Sequence, residues 1–82
     1  MPSSLKLIWQ NVIEILLQIF PQKITKDWLS SIKPLNIEGN TIFLQAPNEY
    51  FAEWIEQHYG EQLRKALKKF NIENINWIFD EK

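Results

Sequence analysis

Apolar residues recur at three- and four-residue spacing from residue 5 to residue 20, which predicts a first helix over Leu5–Phe20. Ser3 or Ser4 is the candidate N-cap, and Pro21 either ends this helix or opens the next one. The apolar arc covers roughly 200°, against about 100° for an ordinary surface helix. The helix therefore either packs between two other elements or turns one flank toward a partner. The arc consists of two rows, Leu5, Trp9, Val12, Ile13, Leu16 and Phe20, and Ile8, Val12, Ile15 and Ile19.

A shorter second helix is predicted over Gln22–Ile32, because its apolar residues recur every four positions from Ile24 through Trp28. Lys33 precedes Pro34, and the residue before a proline favours an extended backbone. The second helix should therefore end near this point, where a strand region follows.

Alternation of apolar and polar residues predicts two strands, around Leu35–Ile37 and over Thr41–Ala46. Gly39-Asn40 between them is a tight-turn pair, since both residue types tolerate positive φ. A last strand is predicted over Ile72–Asp80. Because both of its faces carry apolar residues, we expect it to be central in its sheet.

A third helix is predicted to begin after Pro47, with Asn48 as its N-cap, and to continue to about Phe70. Gly60 interrupts its apolar stripe, so this segment is either one helix with a bend or two consecutive helices. The order of elements is helix, helix, strand, strand, helix, strand. This order predicts an α+β fold with helices packed on a three-stranded sheet.

The composition excludes several kinds of chemistry. The 82 residues contain no cysteine, which removes disulfides and thiolate metal sites. No apolar run approaches the roughly 18 residues of a membrane span, and the first residues lack a basic signal region, so we expect a soluble cytoplasmic protein without a membrane partner. His58 is the only histidine, and no motif places a nucleophile or a metal-ligand cluster beside it. We therefore expect no enzyme activity, no cofactor and no metal.

Nucleic-acid binding is a stronger alternative than catalysis. A basic run lies on the third helix, and two aromatic residues of the last strand could stack on bases. The net charge of −1 supplies no general attraction for phosphates. A KH-type site also requires a GXXG loop, and the only glycines are Gly39 and Gly60. A solvated helix face is the favoured interpretation, with weak single-stranded DNA binding as the alternative. The residues concerned are Arg64, Lys65, Lys68, Lys69, Trp77 and Phe79.

The stretch Ala46–Ile55, Ala-Pro-Asn-Glu-Tyr-Phe-Ala-Glu-Trp-Ile, is the most specific motif of the chain. Together with Trp9, Phe20-Pro21, Trp28, Gly39-Asn40-Thr41 and Tyr59, it resembles the N-terminal domain family of the bacterial replication initiator DnaA. The resemblance covers nearly all of residues 1–82. It implies a single KH-like domain, excised from a protein whose ATPase and duplex-DNA-binding domains are absent here.

The resemblance also implies partners and contact residues. In the family this domain associates with itself, meets the replicative helicase and binds initiation regulators at the origin. The aromatic residue of the first helix that is linked to self-association matches Trp9, with Ile8 and Val12 beside it. Trp9 also lies within the core stripe, so a core role is the alternative. The aromatic residue that is linked to helicase contact matches Tyr50, which could instead only pack against the start of its helix.

Two further sets of positions carry over from the family. An acidic residue early in the second helix, linked to helicase contact, matches Ile24, which is a departure from the family pattern. Regulator-binding positions on the second and third helices match Lys26, Asp27, Glu49 and Glu53. Their alternative interpretation is a solvated polar face.

Overall fold

The computed structural model describes residues 4–79, and it confirms the predicted α+β order of elements. The side chains of Ser3 and Ser4, predicted as N-caps, and the tail after Phe79 lie outside the described residues. The elements are α1 (Ser4–Ile19), α2 (Gln22–Leu29), β1 (Lys33–Glu38), β2 (Thr41–Ala46), α3 (Glu49–Lys68) and β3 (Asn74–Phe79).

The three strands form one sheet in the order β1-β2-β3. β1 pairs with β2 antiparallel through a hairpin, and β3 pairs with β2 in parallel after the α3 crossover. The prediction that the last strand is central was wrong, because β2 holds that position and β3 forms an edge. Because β3 carries apolar residues on both faces, the sequence predicts that other elements pack on both of them. In the structure Trp77 faces the helix layer, while Ile78 points to the opposite face and stays exposed.

The core lies between the sheet and the helices. β2 contributes Ile42, Leu44 and Ala46, which alternate with half-buried residues, as period two requires. The helices contribute residues at three- and four-residue spacing, which places them on one face of each helix. These are Trp9, Val12 and Leu16 of α1, Trp28 and Leu29 of α2, and Ile55, Leu63, Ala66 and Leu67 of α3.

Two residues with positive φ allow the chain to reverse direction. Gly39 has φ of +60° in the hairpin turn, where glycine meets no steric penalty. Asn71 has φ of 65° just after α3, and the Ile72 N–H donates to the Leu67 carbonyl at 3.2 Å to close the helix end. The hairpin turn also anchors the next strand, because the Asn40 carbonyl accepts from two backbone N–H groups at the start of β3.

α3 is one continuous helix, which excludes the alternative of two consecutive helices. Asn48 is its N-cap as predicted, and its side-chain Oδ1 accepts from the Phe51 N–H at 2.8 Å. Gly60 leaves room for an ion pair between Glu56 and Arg64, two turns apart on the same helix. A Cβ on Gly60 would lie 2.8 Å from a carboxylate oxygen of Glu56, so the missing side chain accommodates this pair rather than ending the helix.

Candidate functional site: an aromatic surface on α2 and α3

Aromatic rings, rather than backbone contacts, connect α2 to α3. Within the described residues, no Cα atom of α2 lies within 8 Å of a Cα atom of α3. Tyr59 fills the gap, because its ring stacks on Trp28 with centroids 4.4 Å apart. Phe20 meets the edge of Tyr59 at 4.8 Å, and Trp54 meets it at 5.5 Å. Such pairs contribute roughly 0.5–1.5 kcal/mol beyond the burial of their area.

Three large apolar side chains are exposed around this cluster. Tyr50 is 84% exposed, and Trp54 lies one turn further along α3 and is also exposed. Ile24 is 54% exposed on α2, one turn before the buried Trp28. Exposed aromatic residues over a rigid base are typical of surfaces that bind other proteins. We call Ile24, Tyr50 and Trp54 the α2/α3 surface.

The structure tests the packing alternative for Tyr50 and places its predicted neighbours. An exposure of 84% leaves the Tyr50 ring without packing against the start of α3, so the alternative of a packed first-turn aromatic was wrong. Lys26 and Asp27 are exposed on α2, beside Ile24 in the sequence. Glu49 and Glu53 are also exposed, but they line the flank of α3 that faces β3. The predicted contact set is therefore divided between two surfaces.

On α1 the structure corrects the predicted self-association residues. Trp9 is 6% exposed and Val12 is 0% exposed, because both lie at the centre of the stripe that faces the core. Neither side chain has surface to offer a partner, so the alternative of a core role is the correct one for Trp9. Ile8, the third predicted residue, is half-buried at the edge of the stripe.

Exposed apolar surface on α1 lies to one side of the predicted set. At 100° per residue, one arc of about 120° carries four apolar residues. Two of them are exposed and two are half-buried. We call this arc the α1 flank; it consists of Leu7, Ile8, Ile15 and Ile19. Sequence periodicity missed Leu7, because it lies outside both apolar rows, and it also did not single out Trp54 as exposed.

Two ion pairs join charged groups on α3. The carboxylate of Glu56 accepts hydrogen bonds from Arg64 and, at 2.8 Å, from the Trp77 indole N–H. Burial raises the pKa of Glu56, but the hydrogen bonds from Arg64 and Trp77, with the charge of Arg64, hold that pKa below its usual value. Lys65 lies 3.7 Å from Glu61. Two of the four cations of the basic run therefore already face carboxylates.

The helices found between residues 4 and 79 are each too short or too polar to span a membrane. The same residues contain no group of three or more potential metal ligands. The exposed features described above are apolar and aromatic side chains on α1, α2 and α3.

Comparison with known proteins shows that the chain is similar to one part of a larger replication protein. The family model described as the DnaA N-terminal domain matches residues 6–69. The chromosomal replication initiator protein DnaA of Flavobacterium psychrophilum is 29% identical over 79 residues, covering 96% of this chain and 16% of that protein. The DnaA of Porphyromonas gingivalis is 38% identical over 60 residues, 73% of this chain and 13% of that protein. The DnaA of Bacteroides fragilis is 34% identical over 62 residues, 76% of this chain and 13% of that protein. The chain thus spans about a sixth or less of these relatives.

Proposed function

This chain belongs to the DnaA N-terminal domain family, and from that premise we propose that it is a non-enzymatic protein-interaction module of a replication initiator. It works in the cytoplasm by binding the replicative helicase or initiation regulators through the α2/α3 surface. It also associates weakly with further copies of itself through the α1 flank. Both roles use exposed apolar surface that the domain does not need for its own core.

The observation that carries the helicase and regulator role is the exposure of Tyr50 beside Trp54, over an aromatic base. Tyrosine and tryptophan are enriched among residues that dominate binding energy, because their large rings are buried at low entropic cost. The base is held by the stacked Trp28 and Tyr59, and the exposed Trp54 ring rests against it, with centroids 5.5 Å from Tyr59. Ile24 extends the surface with apolar area, and we infer a partner that offers apolar rather than basic side chains to α2.

Calorimetric titration of the full chain with its cognate helicase, and separately with its cognate regulator, tests this role. Tyr50→Ala should weaken binding of at least one partner by tenfold or more, as expected for a central aromatic contact. Leu35→Ala is the matched control, because Leu35 is also an exposed apolar side chain but lies on β1. Equal affinities for wild type and Tyr50→Ala toward both partners would contradict the proposal.

Self-association is proposed to bring the α1 flank of one copy against the same flank of another. A two-fold axis would place the same residues of both α1 flanks in contact, as in most homodimers. Because the flank is small, the association would be weak. Sedimentation of wild type and Ile19→Ser over micromolar to millimolar concentrations tests the idea. Ile19→Ser should lower the associated fraction without loss of stability, since Ile19 is exposed. A wild-type chain that stays monomeric throughout would refute this role.

Binding of single-stranded DNA is a weaker alternative. Arg64 and Lys65 face carboxylates, which leaves Lys68 and Lys69 as the exposed cations of the basic run without an ion pair among residues 4–79. Phosphate contacts release counterions, so real binding would weaken steeply as salt is raised. Fluorescence titration with a labelled single strand at low salt measures it, and an absence of binding there removes this alternative.

A further inference from the structure

The two edges of the sheet differ in how they are protected. Edge strands normally carry charges, prolines or bulges that prevent another strand from pairing with them. β1 has all three, namely Lys33, Pro34 and an irregular register between Pro34 and Asn36. β3 has none of them, because Asn74–Phe79 contains no charge and no proline and pairs with β2 in unbroken register. Within residues 4–79, the outer edge of β3 is left without a strand partner.

A groove of about 380 Å³ lies beside this edge, between β3 and α3. We call it the β3 groove; it is lined by Glu49, Ala52, Glu53, Glu56, Gln57, Trp77 and Phe79. Its surface is predominantly apolar, since Trp77 and Phe79 point from β3 toward the helix layer. The indole of Trp77 is held in place by its hydrogen bond to Glu56, so this wall of the groove is formed before any ligand arrives.

The geometry of a sheet explains what such an edge and groove would accept together. An added strand would lie about 4.8 Å beyond β3, and its side chains would point alternately to the two faces of the sheet. Side chains on the helix side would enter the β3 groove, and those on the other side would lie next to Ile78. Main-chain hydrogen bonds would supply affinity, while the groove would select the inward side chains.

The charges of the groove select the chemistry of the added strand. Glu49 and Glu53 are exposed on its rim and form no ion pair within the described residues. Glu56 has its charge matched by Arg64, so two negative charges of the groove are left without an ion pair among residues 4–79. A basic side chain is the complementary partner for this rim, and an apolar side chain is complementary to Trp77 and Phe79.

We propose that the edge of β3 and the β3 groove bind an extended segment of a partner protein in which basic and apolar residues occur two positions apart. Such a segment points both side chains to the same face of the added strand. A second copy of this chain fits less well, because its β3 carries no basic residue and its β1 edge is interrupted by Pro34 and a bulge. This proposal does not rest on the α2/α3 surface, which involves other residues of α3.

The probe is the synthetic peptide Thr-Lys-Thr-Leu-Thr-Lys-Thr, which has the required pattern in both chain directions. Titrated into the nitrogen-15-labelled full chain, it should shift the backbone amide resonances of Asn74–Phe79 and of the groove residues of α3. A peptide with glutamate in place of lysine should bind at least tenfold more weakly. Shifts confined to the α2/α3 surface, no shifts at millimolar peptide, or equal binding of the acidic peptide would overturn the proposal.

A methylated peptide tests the strand pairing itself. In a β-strand, alternate N–H groups point to opposite edges, and the set that faces β3 depends on the direction in which the peptide lies. Methylation of all six backbone amides removes the donors in both directions and should weaken binding by tenfold or more, although the side chains are unchanged. Equal binding by the methylated and unmethylated peptides would rule out strand addition. Concentration-dependent shifts of the β3 amides without peptide would assign the edge to self-pairing instead and also overturn the proposal.

A charge variant tests the rim of the groove. Glu53→Lys should weaken binding of the lysine peptide by about three- to tenfold, because it replaces an attraction at the surface by a repulsion. Glu14→Lys makes the same change of net charge on an exposed position of α1 and should leave binding unchanged. If both variants lost the same affinity for the lysine peptide, only net charge would matter. Glu53 would then not be part of the binding site.

Discussion

Replacing Asn48 by alanine should destabilise the start of α3, on which Tyr50 and Trp54 depend for their positions. The Asn48 side chain accepts a hydrogen bond from the Phe51 N–H at 2.8 Å. Asn48 is exposed, so water can reach the N–H that the variant leaves without its partner. The cost is therefore that of a lost helix cap, about 1 kcal/mol, rather than the larger cost of a buried unsatisfied donor. In a domain of this size, about 1 kcal/mol corresponds to a Tm lower by roughly 4–8 °C.

Urea unfolding followed by circular dichroism measures this loss directly. Asn48→Asp is the matched control, because its carboxylate can accept the same hydrogen bond at the positive end of the helix dipole. We expect Asn48→Asp to be as stable as wild type and Asn48→Ala to unfold at lower urea with an unchanged slope. If Asn48→Ala lost less than about 0.3 kcal/mol, or if Asn48→Asp lost as much as Asn48→Ala, the cap would not be what holds the start of α3.

Substitutions at three further positions give separate tests of the fold. The pKa of Glu56 is lower in the folded chain than the usual value for a glutamate, so its contribution to stability is present above that usual pKa and is lost as pH falls through the folded pKa. Glu56→Gln should therefore flatten the fall in unfolding free energy on acidification, measured by urea titrations at pH 3–7. Asn71→Gly should be neutral or slightly stabilising, whereas Asn71→Val should cost about 1–2 kcal/mol in the same assay, because its φ is 65°. Leu16→Ala should cost about 2–5 kcal/mol and lower the Tm in a thermal scan, since Leu16 is fully buried.

Local residue patterns were sufficient to predict the order of the helices and strands. Asn48 was recognisable as a cap because a short polar side chain preceded an apolar stripe, and Gly39 because a tight hairpin turn favours positive φ. Both depend on neighbours within a few residues. The motif around Tyr50 likewise indicated the family, and Tyr50 itself is exposed.

The position of β3 could not be predicted, because alternation shows which faces of a strand are apolar but not how many strands flank it. Ile78 is apolar although it is exposed, so the sequence of β3 has the pattern expected of a central strand. The burial of Trp9 was also undecided, because an arc of roughly 200° has no unique centre until the neighbouring elements are known. The β3 groove combines residues about 25 positions apart, and no local pattern connects them.

The ring pair of Tyr59 and Trp28 acts as a spacer between two helices whose backbones do not touch. The half-buried Tyr59 therefore holds α2 in place relative to α3 through its ring alone. If the α2/α3 surface binds a partner as proposed, a smaller side chain at position 59 would shift Ile24 relative to α3 and alter binding without any change in the exposed residues themselves. The preference for one partner over another would then depend on a residue outside the α2/α3 surface.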